Sequence, residues 1–393
     1  MYDRGQLFID GKWQAPDSDE VIEVISPHTE AVIGHAACAG PADVNRAVGA
    51  ARAAFDGGPW PRMQPAERIE ALTRLAGIYK ERRDDMAELI SAEIGAPISF
   101  AKRAQVRLPL TMISAFCGLA GTYEWQQARP GLYGKDIRIV KQPVGVVAAV
   151  VPWNMPQFLT VSKVVPALLA GCSVVLKPAP ESVLDAQLLA ELVAAAELPP
   201  GVLNVVPGGS DVGEELVSHP GVDKVSFTGS TAAGRQVALA CAQGLKQVSL
   251  ELGGKSAAIV LDDADPTAAA TGIQMASLAN SGQVCNALSR ILVPQTRKDE
   301  FVDALAAGME SMTVGDPADP NTRIGPLVAL RQQERVRGYI ESGKSEGARL
   351  VTGGADMPEG LDTGWYVRPT LFSDADNDMR IAREEIFGPV LTV

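Results

Sequence analysis

The sequence predicts an α/β protein of two domains, the first of which is doubly wound. From Gly145 onward, short continuous apolar runs alternate with amphipathic segments, and Gly, Pro and Ser residues fill the short connections. Continuous apolar runs are typical of strands that a parallel sheet buries on both faces, and their alternation with helices is typical of doubly wound folds. Hydrophobic residues make up 46% and charged residues 21% of the 393 positions, which also favours a globular chain.

The segments before Gly145 predict packing elements. Leu7–Gln14 alternates around Asp10-Gly11, which predicts a hairpin with a type I′ turn. Ala42–Phe55 and Pro65–Gly95 are predicted to be two amphipathic helices, and the second has proline in its first turn. We find no chemistry in these segments.

The segment Tyr123–Val140 differs from its neighbours. After Pro130-Gly131, the residues from Asp136 to Ile139 alternate between polar and apolar. This alternation predicts an amphipathic strand that projects from the body of the protein, and a partner subunit could cover its apolar side. On spacing alone, an ordinary edge strand explains the pattern equally well.

Two α/β series follow along the chain. The first has predicted strands at Gly145–Val151, Ser173–Leu176, Val202–Val206, Lys224–Phe227 and Gln247–Leu250, and predicted helices at Phe158–Leu169, Ser182–Ala196, Val212–Ser218 and Ala232–Ala242. The second has predicted strands at Ala257–Leu261, Ser289–Val293 and Arg349–Thr352, and predicted helices at Pro266–Ala279, Lys298–Met309 and Leu330–Gly343. A second domain therefore begins near Gly253.

Charge and composition exclude several classes of function. The formal net charge of −12 disfavours general binding to nucleic acid, because the phosphate backbone is also negative. The most apolar stretch, Val164–Leu176, is interrupted by Pro166 and Gly171 and is shorter than the ~20 residues of a membrane span. The N-terminus lacks the form of a signal peptide, so the cytoplasm is the expected location. The five cysteines include no CxxC and the three histidines no ligand-like spacing, which predicts reduced thiols and no metal site.

Three residues are candidates for chemistry, and each also has an ordinary structural explanation. Cys285 lies among small polar residues between a helix and a strand, where a thiol can reach solvent as a nucleophile, although most free cysteines are buried. Glu251 directly follows a predicted strand and is a candidate general base or a surface carboxylate. Asn154 follows the strand that begins at Gly145, and its amide suits an oxyanion or simply a turn.

Two further features are candidates for contact with a nucleotide. Lys177 ends the second predicted strand. The turn Gly229–Gly234 begins a helix, and its small residues would let a pyrophosphate approach the N-terminus of that helix. The turn is not the GxGxxG fingerprint. Because Asn154, Lys177, Gly229 and Glu251 all fall at the carboxyl edge of one predicted parallel sheet, we expect them to lie together.

Seven motifs resemble those of the aldehyde dehydrogenase superfamily and occur in the same order. They are VVPWNMP, KPAPES, FTGSTAAGR, LELGGKS, NSGQVCNA, GDPADPNTRIGPLV and EEIFGPV, and the similarity extends over essentially the whole chain from Leu7. The resemblance implies an aldehyde dehydrogenase-like fold, with a Rossmann-like cofactor domain, a second α/β catalytic domain and a projecting hairpin for oligomerisation. It implies that residues 1–122 and 142–252 form the cofactor domain, that 253–393 form the catalytic domain, and that 123–141 form the hairpin.

The resemblance also implies NAD(P)-dependent oxidation of an aldehyde to a carboxylic acid. The thiol of Cys285 attacks the aldehyde, the Asn154 amide and the Cys285 backbone N–H hold the oxyanion, and Glu251 activates the water that hydrolyses the thioester. Lys177 completes the implied catalytic set. The implied cofactor contacts are Val151, Pro152, Trp153, Lys177, Glu181, Gly213, Phe227, Gly229, Ser230, Gly234, Glu251, Leu252, Glu385 and Phe387.

The cofactor and the substrate are less constrained than the reaction. Many NAD-preferring relatives have glutamate three residues after the lysine, where this sequence has Pro180 and places Glu181 one position later. A carboxylate near the adenosine ribose would repel the 2′-phosphate of NADP, so we expect NAD and leave NADP open. Phe158, Met112 and Val284 are candidate substrate-lining residues.

The sequence ends in an apolar segment, Phe387–Val393, that predicts a buried strand. Relatives continue past this point, so we expect a missing C-terminal segment and a homodimer or homotetramer for the complete chain. A chain of these residues alone is expected to be poorly active and prone to associate, because strand edges would be exposed.

Three other functions stay open. An acylating relative would pass the thioester to coenzyme A, but Glu251 argues for hydrolysis instead. A catalytically inert, truncated NAD-binding protein is the second alternative. A cysteine peptidase is the third, and it lacks a histidine in any predicted site loop.

Overall fold

The computed structural model describes residues 2–393, whose strands form four sheets. The strands are β1 (Tyr2–Arg4), β2 (Leu7–Ile9), β3 (Lys12–Gln14), β4 (Val21–Ile25), β5 (Val32–Ala37), β6 (Gln126–Pro130), β7 (Asp136–Val140), β8 (Val146–Val150), β9 (Ser173–Lys177), β10 (Leu203–Val205), β11 (Lys224–Gly229), β12 (Gln247–Leu252), β13 (Ala257–Ile259), β14 (Arg290–Leu292), β15 (Arg349–Thr352), β16 (Thr370–Ser373) and β17 (Val390–Thr392).

The helices cover the two larger sheets. They are α1 (Pro41–Asp56), α2 (Pro65–Glu81), α3 (Arg83–Ile94), α4 (Ile98–Phe100), α5 (Leu108–Thr122), α6 (Pro156–Leu169), α7 (Val183–Ala195), α8 (Ser210–Ser218), α9 (Thr231–Gln243), α10 (Pro266–Ser277), α11 (Lys298–Glu310), α12 (Leu330–Ser345) and α13 (Arg380–Arg383). A π-helical segment, Ala101–Arg107, joins α4 to α5.

The first large sheet has seven strands in the order β12-β11-β8-β9-β10-β2-β3. The pairs from β12 to β10 are parallel, and the β2–β3 hairpin adds antiparallel strands at one edge. Side chains of β8 alternate between two cores, because Val147 and Ala149 pack with α2, α3, α5, α6 and α7, whereas Val146 and Ala148 pack with α1 and α8. Helices on both faces make the sheet doubly wound, as predicted.

The second large sheet has five strands in the order β13-β14-β17-β16-β15. All its pairs are parallel except β15–β16. Its two faces are covered by different helices, α10 and α11 on one side and α12 and α13 on the other. The predicted buried strand near the end of the sequence is β17, and it lies in the middle of this sheet.

The strands β6 and β7 form a separate two-stranded sheet. Its residues are mostly exposed, and at its turn the exposed fractions of Leu132 and Tyr133 are 96% and 93%. The projecting amphipathic strand predicted from Tyr123–Val140 is therefore half of a hairpin. That a partner subunit covers it stays a prediction.

The structure corrects one prediction for the N-terminal third and adds elements that were not predicted. The single helix predicted for Pro65–Gly95 is two helices, because Arg82 leaves helical geometry (φ −103°, ψ 16°). The sheet β1-β5-β4 and the helical run from α4 to α5 were not predicted. The hairpin at Asp10-Gly11 is confirmed, with φ of 54° and 71° at its two turn residues, as a type I′ turn requires.

Candidate active site

Parallel register brings four of the predicted residues to one edge of the seven-stranded sheet. Val150, at the end of β8, pairs with Lys177 of β9 and with Phe227 of β11. One step further along, Thr228 of β11 pairs with Glu251 of β12. Gly229 ends β11, and Asn154 lies in the loop after β8. The expectation that Asn154, Lys177, Gly229 and Glu251 share one edge of the sheet is therefore confirmed.

A cleft of about 240 Å³ opens at this edge, between the two large sheets. It is lined by Pro152, Trp153, Asn154, Thr228, Gly229, Ser230, Leu252, Gly253, Cys285, Gln332, Arg335, Glu385 and Phe387. Nine of these thirteen were predicted from the sequence. Thr228, Gly253, Gln332 and Arg335 were not.

Cys285 is the only exposed cysteine of the five. The segment before it is unusual, because Asn280, Ser281 and Gly282 all have left-handed φ, of 50°, 58° and 78°. Such conformations are costly for residues other than glycine and are concentrated at functional sites. They direct the chain so that the following thiol faces the cleft.

The surroundings of Cys285 favour its neutral form. Partial burial raises the pKa of the thiol, and the carboxylates of Glu385 and Glu251 raise it further. The backbone N–H groups of Cys285 and Asn286 act in the opposite direction. The thiol therefore needs a base before it becomes a nucleophile.

Asn154 presents its amide to the same cleft although its side chain is buried. Its Nδ2 donates to the backbone oxygen of Gln283 at 2.9 Å, two residues before the thiol. That bond uses one of the two amide hydrogens and leaves the other for a ligand.

Glu251 is exposed and does not line the cleft, yet its charge affects two groups nearby. It raises the pKa of Cys285 and opposes the burial that lowers the pKa of Lys163 to about 8. Lys163, whose Nζ lies 3.4 Å from Ser226 Oγ, was missed from the sequence. The available signal was that Lys163 is the single charged residue of helix α6.

The N-terminus of α9 opens into the cleft. Ser230 caps this helix by accepting a hydrogen bond from the Ala233 N–H at 3.2 Å. At Gly234, a Cβ would lie 2.5 Å from Leu252 Cδ2, so only glycine lets the helix approach β12 this closely. Small residues thus leave backbone N–H groups accessible to an anion.

Glu385 supplies a carboxylate at the opposite wall. Burial raises its pKa, while the backbone N–H of Gly254 and then the positive charges of Arg335 and Lys255 lower it. Its Oε1 is buried and accepts no hydrogen bond from any of residues 2–393, and the same holds for Thr228 Oγ1. The rings of Trp153 and Phe387 meet edge to face with centroids 5.4 Å apart. Unpaired polar atoms, an open helix N-terminus and an aromatic wall fit a dinucleotide.

Several predicted cofactor contacts lie outside the cleft. Lys177 is buried, and its Nζ donates to the backbone oxygens of Pro178 at 2.8 Å and Gly208 at 2.6 Å. Burial lowers the pKa of Lys177 to about 8. Gly213 is next to this side chain, since a Cβ there would lie 3.5 Å from Lys177 Cδ and Cε. Their roles stay predictions.

The remaining predicted contacts are also placed away from the cleft. Glu181 forms an ion pair with Arg331 on α12. Val151 and Phe227 are buried beneath the edge of the sheet. None of the candidate substrate-lining residues, Phe158, Met112 and Val284, lines this cleft, and that assignment also stays a prediction.

Residues 2–393 contain no cluster of three or more His, Cys, Asp or Glu side chains arranged to hold a metal ion. Over the same residues, no helix has both the length and the apolar character to cross a membrane.

Comparisons with known proteins agree with the fold. The model of the aldehyde dehydrogenase family matches residues 13–393. The chain is 44% identical over 391 residues to geranial dehydrogenase of Castellaniella defragrans, covering 100% of this chain and 81% of that protein.

Solved structures are equally similar. A Mycobacterium tuberculosis aldehyde dehydrogenase complexed with NAD+ superposes with a TM-score of 0.97 at 47% identity, covering 100% of this chain and 80% of that one. A mutant of aldehyde dehydrogenase C from Pseudomonas syringae, complexed with NAD+ and octanal, superposes with a TM-score of 0.95 at 44% identity and covers 98% and 79%. On these matches and on the geometry of the cleft, the chain belongs to the aldehyde dehydrogenase family.

Proposed function

We propose that this protein oxidises an aldehyde to a carboxylic acid with NAD. The observation that carries the proposal is the convergence of an exposed thiol, Cys285, and a neutral amide, Asn154, on a cleft that also contains the α9 N-terminus. Membership of the aldehyde dehydrogenase family supports the reaction class. The NAD+ complexes of its structural relatives support the cofactor.

Each step of the reaction is assigned to a group in or beside the cleft. The Cys285 thiol loses its proton to solvent, and the thiolate sulfur adds to the aldehyde carbon to give the anion of a thiohemiacetal. The Asn154 amide and the Cys285 backbone N–H stabilise the oxyanion. NAD held at the α9 N-terminus and Glu385 would supply the hydride acceptor, and Cys285 would then carry the acyl group as a thioester. Glu251 then deprotonates a water molecule, which displaces the thiolate and releases the carboxylic acid.

Other groups that line the cleft would hold the cofactor. The α9 N-terminus and Ser230 would face its pyrophosphate, and Glu385 would accept from the nicotinamide ribose hydroxyls. Trp153 and Phe387 would flank the nicotinamide ring. Glu181 stands in an ion pair with Arg331, and we assign it to the adenosine ribose as the carboxylate that favours NAD over NADP.

The substrate we propose is an apolar aldehyde. Two relatives point in this direction, one named for geranial and one solved with octanal.

The organisation of the whole protein is part of the proposal. Residues 1–122 with 142–252 form the cofactor domain, 253–393 the catalytic domain and 123–141 the oligomerisation hairpin. We propose a homodimer or homotetramer located in the cytoplasm. The exposed apolar residues of the hairpin, including Leu132, Tyr133 and Ile137, support the association.

The test is NADH formation at 340 nm from octanal, geranial and a charged aldehyde, with the carboxylic acid identified by mass spectrometry. Cys285→Ala should abolish NADH formation and leave NAD binding unchanged, because the thiol forms the covalent intermediate without anchoring the cofactor. Cys117→Ala, at a buried cysteine outside the cleft, is the matched control and should stay active. Turnover that needs coenzyme A, or NAD binding without NADH formation from any aldehyde, would contradict the proposal.

A further inference from the structure

The backbone carbonyl of Asn154 accepts hydrogen bonds from two side-chain amides. Gln105 Nε2 and Asn280 Nδ2 both donate to this oxygen at 2.9 Å. All three side chains are almost fully buried, with exposed fractions of 0% for Gln105, 2% for Asn280 and 3% for Asn154. Buried polar groups of this kind hold their partners in one geometry, because no water is available to replace the bond.

The two donors come from different parts of the fold. Asn280 belongs to the strained segment that leads to Cys285, so its bond joins the amide loop to the thiol loop. Gln105 comes from the π-helical segment Ala101–Arg107, which lies outside the α/β series that carries the rest of the site. A π-turn includes one residue more than an α-turn and is often found at functional sites.

The side-chain amide of Gln105 makes a single hydrogen bond. Its Nε2 bonds the Asn154 carbonyl, while its Oε1 is buried and accepts no hydrogen bond from residues 2–393. Gln105 does not line the cleft and so has no direct contact with a ligand there. Burying an amide whose oxygen accepts no hydrogen bond is unfavourable for folding. We therefore attribute the presence of Gln105 to its effect on the orientation of Asn154.

We propose that Gln105 is a positioning residue for the oxyanion amide. Its bond fixes the loop after β8 so that the free amide hydrogen of Asn154 points to the oxygen that becomes negative when Cys285 adds to a carbonyl. Donors of this type are effective because they are oriented before the charge develops, so a small displacement reduces the rate without affecting ground-state binding. The inference rests on the proposed function, since it assigns a role within that reaction.

The test compares Gln105→Met, which removes the donor at similar volume, with Gln187→Met. Gln187 is equally buried, with an exposed fraction of 1%, and bonds only the distant carbonyls of Arg4 and Gln6. The first readout is the rate of the NADH burst with octanal. The second is the acylation burst with 4-nitrophenyl acetate, which forms an oxyanion at the same position without NAD.

For Gln105→Met we expect both burst rates to fall about tenfold, less than the ~10²–10³ cost of deleting an oxyanion donor outright. The KM for octanal and the Kd for NAD should stay at the wild-type values, since the lost interaction acts in the transition state. Gln187→Met should match the wild type. In an Asn154→Ala background, Gln105→Met should have no further effect, because the amide that Gln105 orients is gone.

A second variant, Gln105→Glu, distinguishes a donor from a mere space-filler. Its carboxyl group can donate to the Asn154 carbonyl only when protonated, so its burst rate relative to wild type should rise as the pH is lowered. Gln105→Met should show no such recovery.

Three results would overturn the inference. The first is wild-type burst rates in Gln105→Met, and the second is an undiminished effect of that substitution in the Asn154→Ala background. The third is a wild-type protein that is acylated by neither substrate. A wild-type protein that forms no NADH but is acylated by the ester in a Gln105-dependent way would refute the proposed oxidation alone.

Discussion

Two adjacent glycines offer a sharp test of the role assigned to Glu385. At Gly253 a Cβ would lie 2.5 Å from the Cδ of Glu385, and closer still to both carboxylate oxygens. At Gly254 a Cβ would meet nothing within 4 Å. Neither glycine has positive φ, so alanine fits the backbone at both positions. Gly253→Ala therefore changes the position of one carboxylate, and Gly254→Ala is its matched control.

The size of the effect follows from the distances. Ordinary van der Waals contact begins at 3.4 Å, so the Glu385 carboxyl group must move by about 1 Å. The end of a side chain can give way, and we expect the free energy of unfolding to change by less than about 1 kcal/mol. A displacement of this size breaks a charge-assisted hydrogen bond to a ribose hydroxyl, worth about 1.5–3 kcal/mol. The Kd for NAD should accordingly rise about 10- to 150-fold.

The assay is calorimetric titration of NAD into both variants and the wild type, with thermal unfolding as a check of the fold. Gly253→Ala should bind NAD weakly with a melting temperature near the wild type, and Gly254→Ala should match the wild type in both measurements. If Gly253→Ala binds NAD normally, Glu385 does not hold the cofactor. If both variants lose affinity equally, the effect comes from the backbone and the reasoning about contact distance fails.

Two further predictions concern charge. Glu251→Gln should release one equivalent of NADH, after which turnover should slow at least ~100-fold, because an amide cannot deprotonate the hydrolytic water. Mass spectrometry should then find the acyl group on Cys285. Steady turnover would exclude the assigned role. Burial raises the pKa of Asp185 to about 7, and that of its neighbour Glu93 also lies well above the ordinary value. Because the folded pKa of Asp185 exceeds the unfolded one, its contribution to stability is present below about pH 4 and is lost as the pH rises through about 7. Asp185→Asn removes this titration, so its urea midpoint should increase relative to wild type as the pH rises from about 4 to about 7. Parallel pH profiles of the urea midpoint would contradict the assignment.

The predictable part of this structure follows from the geometry of parallel sheets. Apolar runs located β8, β9, β11 and β12, and parallel strands must end at a common edge. This rule alone predicts that Asn154, Lys177 and Glu251 share one edge, and the register of the strands agrees. The ordered motifs then placed Cys285 and Glu385, which come from the second series, at the same cleft.

The unpredicted part depends on side-chain reach and on local irregularity. Gln332 and Arg335 enter the cleft from α12, a helix that is strongly polar and has no distinctive motif. The break between α2 and α3 is a single non-helical residue, Arg82. No Gly or Pro stands beside it, so the sequence has no signal for a break at that position. Gln105 is fully buried and lies in the π-helical segment Ala101–Arg107, and no simple periodicity describes such a turn.

The central position of β17 has a consequence for the order in which the chain folds. Synthesis makes β13, β14, β15 and β16 first, yet β14 and β16 meet only through β17, which pairs with both. Until β17 emerges from the ribosome, the second sheet exists as two strand pairs with open edges. Gly282 packs closely on the segment before β17, since a Cβ there would lie 2.8 Å from Pro389 N. The strained turn ahead of Cys285 therefore also reaches its final packing only after that segment has been made. The turn that positions the nucleophile is therefore completed only after β17 has been made, and we expect nascent chains to need protection from aggregation until then.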